Sequence, residues 1–213
     1  MDLEALLEEK GQLFSEELGI DVEHEPFKWF IASVLFGGRI STDIAKRTYR
    51  EYEKRGLTTP EAIDSAWHYT LVRTHGAGGY ARYDEITADY MKSIAKELLE
   101  EYDGDIQNVH EKSQSPRELK QNLQNFKGVG PVTTRIFLRE MRGIWEKADP
   151  NLTAIEKKAA KNLGIVSNEN NITEQVKQYW DYDCVQGFDF RNLQAALVRH
   201  GLHLRRSESS DSP

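Results

Sequence analysis

The chain has 213 residues, 38% of them hydrophobic and 30% charged, with a mean hydropathy of −0.66. That length fits one large domain or two small ones, and the composition excludes a disordered or membrane-spanning protein. The formal net charge is −7, which argues at first against a nucleic-acid partner. Its distribution reverses that argument. Residues 1–25 hold nine acids against Lys10 alone, a local charge of −8, so residues 26–213 carry +1.

The N-terminus, MDLEALLEEK, lacks the basic start and apolar stretch of a signal peptide. One cysteine, Cys184, excludes an internal disulfide and any cluster or zinc site built from several cysteines of this chain. These features suggest an intracellular protein, expected in the cytoplasm.

Helical periodicity runs almost throughout. Residues 3–17 predict a first helix through Leu3, Leu6, Leu7, Leu13 and Phe14. Residues 27–36, FKWFIASVLF, are apolar on nearly every face and predict a central helix. Thr42 to Glu53 reads as a polar, strongly helical continuation. Residues 60–72 form a helix opened by Pro60 after a Thr59 cap. Residues 84–102 place Ile86, Tyr90, Ile94 and Leu98 four apart, and Asp103-Gly104-Asp105 ends that helix.

Ser115-Pro116-Arg117-Glu118 is a capping box with proline at the first helical position. Its helix carries Leu119, Leu123 and Phe126. Asn151 to Leu163 predicts another helix, stopped at Gly164. Thr173 caps a helix to Trp180, and Asp189 caps one to His200 that Gly201 closes. The tail, residues 207–213, is expected to be disordered. No strand pattern and no internal repeat is evident, so the fold class is all-α.

Residues 119–141 read LKQNLQNFKGVGPVTTRIFLREM. Two glycines around one apolar residue permit a tight turn, with Val129 tucked between helices. Pro131 suits the first turn of the second helix, whose free N–H groups make an anion site. Lys127, Arg135, Arg139 and Arg142 surround it against one acid, Glu140. The physics suggests backbone amides gripping a nucleic-acid phosphate without reading base sequence. A plain packing corner is the other reading of a lone GxG.

The surrounding pattern is more specific. A leucine helix, K-G-V-G-P and T-T-R-I together resemble the helix-hairpin-helix motif of the DNA glycosylase superfamily, which includes endonuclease III, the adenine-mismatch glycosylases and the alkylpurine glycosylases. Pro26-Phe27 with FIASVLFGGRISTDIAKR resembles the family's early helix and turn. Gly79-Tyr80-Ala81-Arg82 resembles its G-Y/F-x-R/K segment. Ala148-Asp149-Pro150-Asn151 looks like its aspartate motif, and Phe190 to Gly201 its last helix. The order holds over residues 25–204.

The resemblance implies a two-lobed helical fold. One lobe spans residues 29–140 and ends in the hairpin. The second joins 1–28 to 141–206, with Asp149 in the groove between. It also implies a DNA glycosylase of base-excision repair, acting as a monomer on double-stranded DNA with a damaged or mismatched base, nucleoid-associated and away from membranes. Breaking an N-glycosidic bond builds positive charge on the sugar, and a carboxylate stabilises that state and activates water. The resemblance gives that role to Asp149; an ordinary helix cap at Asp-Pro is the other reading.

Lys127, Gly128, Val129, Gly130, Thr133 and Arg135 would contact the DNA backbone. Lyase members carry a lysine where this chain has Val132, so a monofunctional enzyme is expected, without Schiff-base chemistry. Many relatives hold an iron–sulfur cluster on four cysteines; here no cofactor and no metal is expected. In the turn FGGRIST, Gly38-Arg39 stands where relatives often have glutamines. Arg39 or Tyr80, the latter from a 76–80 loop, would fill the gap left by a flipped base. Trp145 would line the base pocket. Arg199, Arg205 and Arg206 could touch phosphates. A helix-hairpin-helix protein that binds DNA structure without catalysis is the alternative function.

Overall fold

The computed structural model describes residues 2–210, with side chains to Glu208. Among the described residues every regular element is a helix: α1 (Leu3–Lys10), α2 (Pro26–Gly37), α3 (Thr42–Lys54), α4 (Pro60–Ser65), α5 (His68–Gly78), α6 (Asp84–Glu101), α7 (Gln107–Lys112), α8 (Pro116–Asn125), α9 (Pro131–Glu140), α10 (Ala154–Asn162), α11 (Ile172–Tyr182) and α12 (Phe190–Ser210). They form two compact units, Leu18–Asp149 on one side and the residues up to Glu17 with those from Pro150 onward on the other. Residues 18–28 and 141–149 therefore group with the hairpin's unit, whereas the sequence-based division started that lobe at 29 and ended it at 140.

Helix α2 is the centre of the Leu18–Asp149 unit. Eight of its residues are buried, including Trp29, Phe30 and Leu35. Phe30 packs edge-on against Phe126 at 5.8 Å and Phe137 at 5.0 Å between ring centroids. The Trp29 indole N–H donates to the Phe137 carbonyl at 3.1 Å, so a buried polar atom is satisfied by the second helix of the hairpin.

The predicted helix over 60–72 is two helices. Ser65 ends α4, and the chain extends through Ala66 and Trp67 before α5 starts. Lys92 of α6 holds the junction open by donating to the carbonyls of Asp64 and Ala66. The glycine-rich stretch His75–Gly79 is not a loop. It is the last turn of α5, closed by Gly79 at φ +89°. Gly78 is glycine because α5 crosses α3 there: a Cβ would come within 2.4 Å of the Thr48 Cα. Short α7 carries no motif that the sequence signalled.

In the other unit, Leu3, Leu6 and Leu7 of α1 pack with Ala159 and Ala160 of α10, Val176 of α11, and Leu193, Ala196 and Leu197 of α12. The first helix ends at Lys10 rather than running to 17. Its terminal carbonyls are taken by α12: Arg199 donates to the Lys10 carbonyl at 2.7 Å and the Gln12 carbonyl at 2.5 Å, and Asn192 to that of Gly11 at 2.9 Å. Arg199 also pairs with Glu17 at 2.6 Å and lies over the Phe14 ring. It is a structural clamp and not an exposed phosphate contact.

Helix α12 passes through Gly201 and on to Ser210. A Cβ at Gly201 would stand 2.6 Å from the Ile155 carbonyl oxygen. This glycine thus permits a close helix crossing instead of ending a helix. The expected disordered tail is helical over residues 207–210, where Lys158 pairs with Glu208; residues 211–213 lie outside the described residues.

The N-terminus of α11 is at Asn171 (φ +47°), and the Thr173 hydroxyl instead accepts from the Leu152 N–H at 3.4 Å.

Candidate nucleic-acid interface

The hairpin joins α8 to α9. Ser115 caps α8 by accepting from the Glu118 N–H at 3.2 Å, as its capping sequence predicts. The Glu118 carboxylate accepts from Gln114 at 2.7 Å, one residue before the cap. Phe126 and Val129 are buried, and the Val129 N–H donates to the Phe126 carbonyl at 3.0 Å. This closes the turn around Gly128, at φ +84°.

A side chain at Gly128 would meet the ring of Tyr90 on α6, 2.3 Å from its Cδ2. Gly130 is different. A Cβ there would meet open space. It precedes Pro131 at the first position of α9 and has no side-chain cap. The first-turn amides of α9 lack intrahelical partners by geometry, so they and the macrodipole offer an anion site at an open glycine.

The side chains divide less simply than the sequence suggested. Lys127 is exposed and Arg135 half-buried. Thr133 is buried, and its hydroxyl packs where a Cβ on Gly37 would lie, at 2.1 Å. A phosphate there would meet its backbone and not its hydroxyl. Arg139 is also buried, 3.7 Å from the equally buried Glu140. Arg142 pairs with Asp149. Of the four cations counted around the hairpin, Arg139 and Arg142 thus meet carboxylates, and Lys127 is the fully exposed one.

Val132 is 52% exposed. It presents an apolar surface where the resemblance would otherwise place an amine.

Asp149 ends the segment after α9. Its side chain is 49% exposed, and Oδ1 accepts from the Arg142 guanidinium. Its carbonyl accepts from the Lys120 ammonium at 3.3 Å. It caps no helix. The α10 cap is Thr153, four residues on, in a full capping box: its hydroxyl accepts from the Glu156 N–H, and the Glu156 carboxylate accepts from the Thr153 N–H at 2.6 Å. The N-cap of α10 is thus Thr153 and not Asp149.

Arg39 and Tyr80, far apart in sequence, line one cleft of about 320 Å³ with Gly37, Gly38, Tyr83, Ile86, Thr87 and Tyr90. Tyr80 is only 4% exposed. Its hydroxyl stands 2.7 Å from where a Cβ on Gly38 would lie and accepts from the Thr87 hydroxyl at 3.2 Å. A side chain so held forms a floor and does not swing out as a wedge. Arg39 is exposed at the end of α2. Ile86 and Tyr90 open the apolar stripe of α6 but face this cleft, and Ile86 is 47% exposed.

Behind the floor lies a buried polar chain. His75 Nδ1 donates to the Asp84 carbonyl at 2.9 Å, so Nε2 accepts from the Tyr52 hydroxyl at 2.8 Å. Burial pushes His75 down to about 4 against the pull of Asp84.

Trp145 is 3% exposed, stacked on His110 at 5.0 Å and edge-on to Phe137 at 5.2 Å. It is interior packing of the hairpin's unit and does not line this cleft. Among the described residues no three His, Cys, Asp or Glu converge as a metal site. His200 Nε2 instead bonds Asn162 at 2.7 Å. Among the described residues no helix is long and apolar enough to cross a membrane.

No protein-family model matches the chain. Over 111 residues it is 32% identical to the chloroplastic endonuclease III homolog 2 of Arabidopsis thaliana, covering 52% of this chain and 25% of that protein. Homolog 1 of the same plant is 32% identical over 111 residues, 50% of this chain and 26% of the relative. The chain thus spans about a quarter of the length of the curated relatives it matches. Its fold is similar to that of the H. pylori 3-methyladenine DNA glycosylase solved with 1,N6-ethenoadenine. The TM-score is 0.58 over 95% of this chain and 98% of that one, at 12% identity.

Proposed function

We propose that this chain belongs to the helix-hairpin-helix DNA glycosylase superfamily, a reading its relatives and its fold support, and that it hydrolyses the N-glycosidic bond of a damaged base in duplex DNA. The hairpin holds a phosphate through the open backbone at Gly128–Gly130 and the first turn of α9, with Lys127 and Arg135 beside it. This grip is independent of sequence, as a lesion scanner needs.

Asp149 is the catalytic carboxylate. It faces the positive charge that develops on the sugar as the base leaves, and it takes a proton from the attacking water. The observation that carries this is its exposure: a half-exposed carboxylate beside Arg142 follows the hairpin's second helix, while Thr153 caps the next one.

With Val132 in place of an amine, the sugar is not attacked by the protein. The enzyme releases the base and leaves the abasic strand uncut. Damaged purines are the favoured substrate class. The similar fold was solved with an etheno-modified adenine, and the turn at Gly38-Arg39 lacks the glutamines that many relatives place there.

The Arg142–Asp149 pair favours a second reading, in which the carboxylate is neutralised and the chain only binds DNA structure. Asp149→Asn separates the two. The variant is expected to retain DNA affinity while base release from duplexes carrying ethenoadenine, hypoxanthine or alkylpurines falls by at least a hundredfold. Unchanged base release would overturn the catalytic assignment. Absence of release by the unaltered protein on all these duplexes would favour the binding-only reading.

A further inference from the structure

Between the end of α9 and Asp149 the chain runs through turns, with no regular helix. Local backbone bonds shape it, such as Ile144 N–H to the Met141 carbonyl at 3.0 Å and Ala148 N–H to the Trp145 carbonyl at 2.8 Å. A side chain on such a segment is placed less firmly than one on a helix. Arg142 and Lys120 hold Asp149 itself. The position of the carboxylate also depends on what anchors the residues before it.

That anchor is α7, the short helix that no sequence signal marked. Ile106 and Val109 are fully buried. Asn108 donates to the Tyr102 carbonyl at 2.9 Å, and Ser113, just after the helix, accepts from Asn122 of α8 at 3.0 Å. From this fixed piece His110 reaches the segment in three ways. Its ring stacks on Trp145, at 5.0 Å and 19°. Its Nε2 accepts from the Lys147 N–H at 3.4 Å. Its carbonyl accepts from the Lys147 ammonium at 3.2 Å.

Lys147 passes this grip on. Its N–H is bound to His110, and its carbonyl accepts from the Asp149 N–H at 3.2 Å. One residue thus links the imidazole to the backbone of Asp149 through two hydrogen bonds.

Accepting at Nε2 requires the neutral ring, with its proton on Nδ1. The protonated ring has no lone pair to offer the Lys147 N–H, and it becomes a second cation beside the Lys147 ammonium. The charged groups acting on the ring are Lys147 and Glu146 of the segment and Glu111 of α7. Burial first, and then Lys147, hold the imidazole below its ordinary value of 6.5. The accepting form is therefore the resting form at neutral pH.

We propose that His110 is a positioning residue for Asp149: its neutral ring holds the segment 145–149 in place, and its protonation releases that segment. It acts through Lys147 and not on the substrate. This role rests on the reading of Asp149 as the catalytic carboxylate.

The test measures single-turnover base release by the full chain from about pH 8 to about pH 5, on the best-cleaved duplex among those carrying ethenoadenine, hypoxanthine or an alkylpurine. His110→Phe keeps a ring against Trp145 and removes the acceptor. It is expected to slow release about tenfold at neutral pH, while DNA affinity stays within about twofold. His110→Gln restores an acceptor that does not titrate. It should recover part of that rate and lose the fall in rate that follows His110 protonation. A second readout is independent of activity. By NMR, the Asp149 amide resonance of the unaltered protein should shift with the midpoint of the His110 ring, and in His110→Gln that shift should vanish. A full rate in His110→Phe, or an Asp149 amide that ignores the His110 midpoint, would overturn the role. If the unaltered protein releases no base, the catalytic reading of Asp149 falls, and the amide resonance alone decides whether His110 controls the segment.

Discussion

The guanidinium of Arg142 donates to the carboxylate of Asp149, seven residues later in the chain. Arg142 is mostly buried and Asp149 half exposed. The carboxylate is therefore held beside a guanidinium while about half of its side chain stays accessible. We expect Arg142 to be a positioning residue for Asp149. Arg142→Gln should slow single-turnover base release about tenfold, equivalent to roughly 1.4 kcal/mol. The conservative Arg142→Lys should recover part of that rate at similar DNA affinity. A rate unaffected by either change would make the pair purely structural.

Val132 leads to a chemical prediction. Borohydride should trap no protein–DNA adduct with the unaltered chain, because position 132 presents a valine and no amine. The residue is 52% exposed, so Val132→Lys should fold normally and serve as the comparison. Trapping by the unaltered protein would refute the monofunctional assignment.

The two hairpin glycines should respond differently. Gly128 lies at φ +84° and faces the Tyr90 ring. Gly128→Ala should therefore cost about 1–3 kcal/mol of stability and displace the wall of the cleft. Gly130 faces open space at an ordinary backbone angle. Gly130→Ala should leave the urea midpoint nearly unchanged but reduce DNA binding, because a methyl group shields the amides. Equal loss of stability in both variants would contradict this division of labour.

His75 predicts a pH dependence. Its folded value, about 4, lies below the ordinary value of 6.5 because burial disfavours the cation. The unfolded chain thus binds the extra proton first as pH falls. The stability from neutral His75 is fully present above about 6.5 and drains away down to about 4, a change on the order of 3 kcal/mol. Burial also lowers His110 and His200, so they add to the same slope. Urea denaturation at pH 7.0 and 4.5 should show the loss, and His75→Gln should reduce the difference. An unchanged difference in that variant would remove His75 from the account.

Much of the helical order was legible because its signals are local. Proline after Thr59, Ser115 and Gly130 marks helix starts, and the run at 27–36 is apolar on too many sides to lie at a surface. The hairpin was equally legible, since two glycines around Val129 and a following proline leave few alternatives. The approach of α6 to the hairpin was not, because nothing near Gly128 names Tyr90. Nor was the cleft, whose walls come from residues 37–39 and 80–90. Ile86 and Tyr90 belong to a periodic apolar stripe, which specifies a helix face without naming what covers it.

The sequence by itself determined an all-helical chain with a helix-hairpin-helix at its centre and an aspartate after it. The tertiary structure decided what ambiguous residues do. A glycine signals either backbone freedom or a missing side chain, and only the neighbour across the fold tells which. Gly128 needs both, whereas Gly78 and Gly201 make room for Thr48 and Ile155. A charge or aromatic ring is equally ambiguous. Arg139 and Arg199 turn to internal partners, Tyr80 becomes a floor, and the cap of α10 falls to Thr153 while Asp149 meets Arg142. These outcomes depend on contacts between distant segments, which local pattern does not encode.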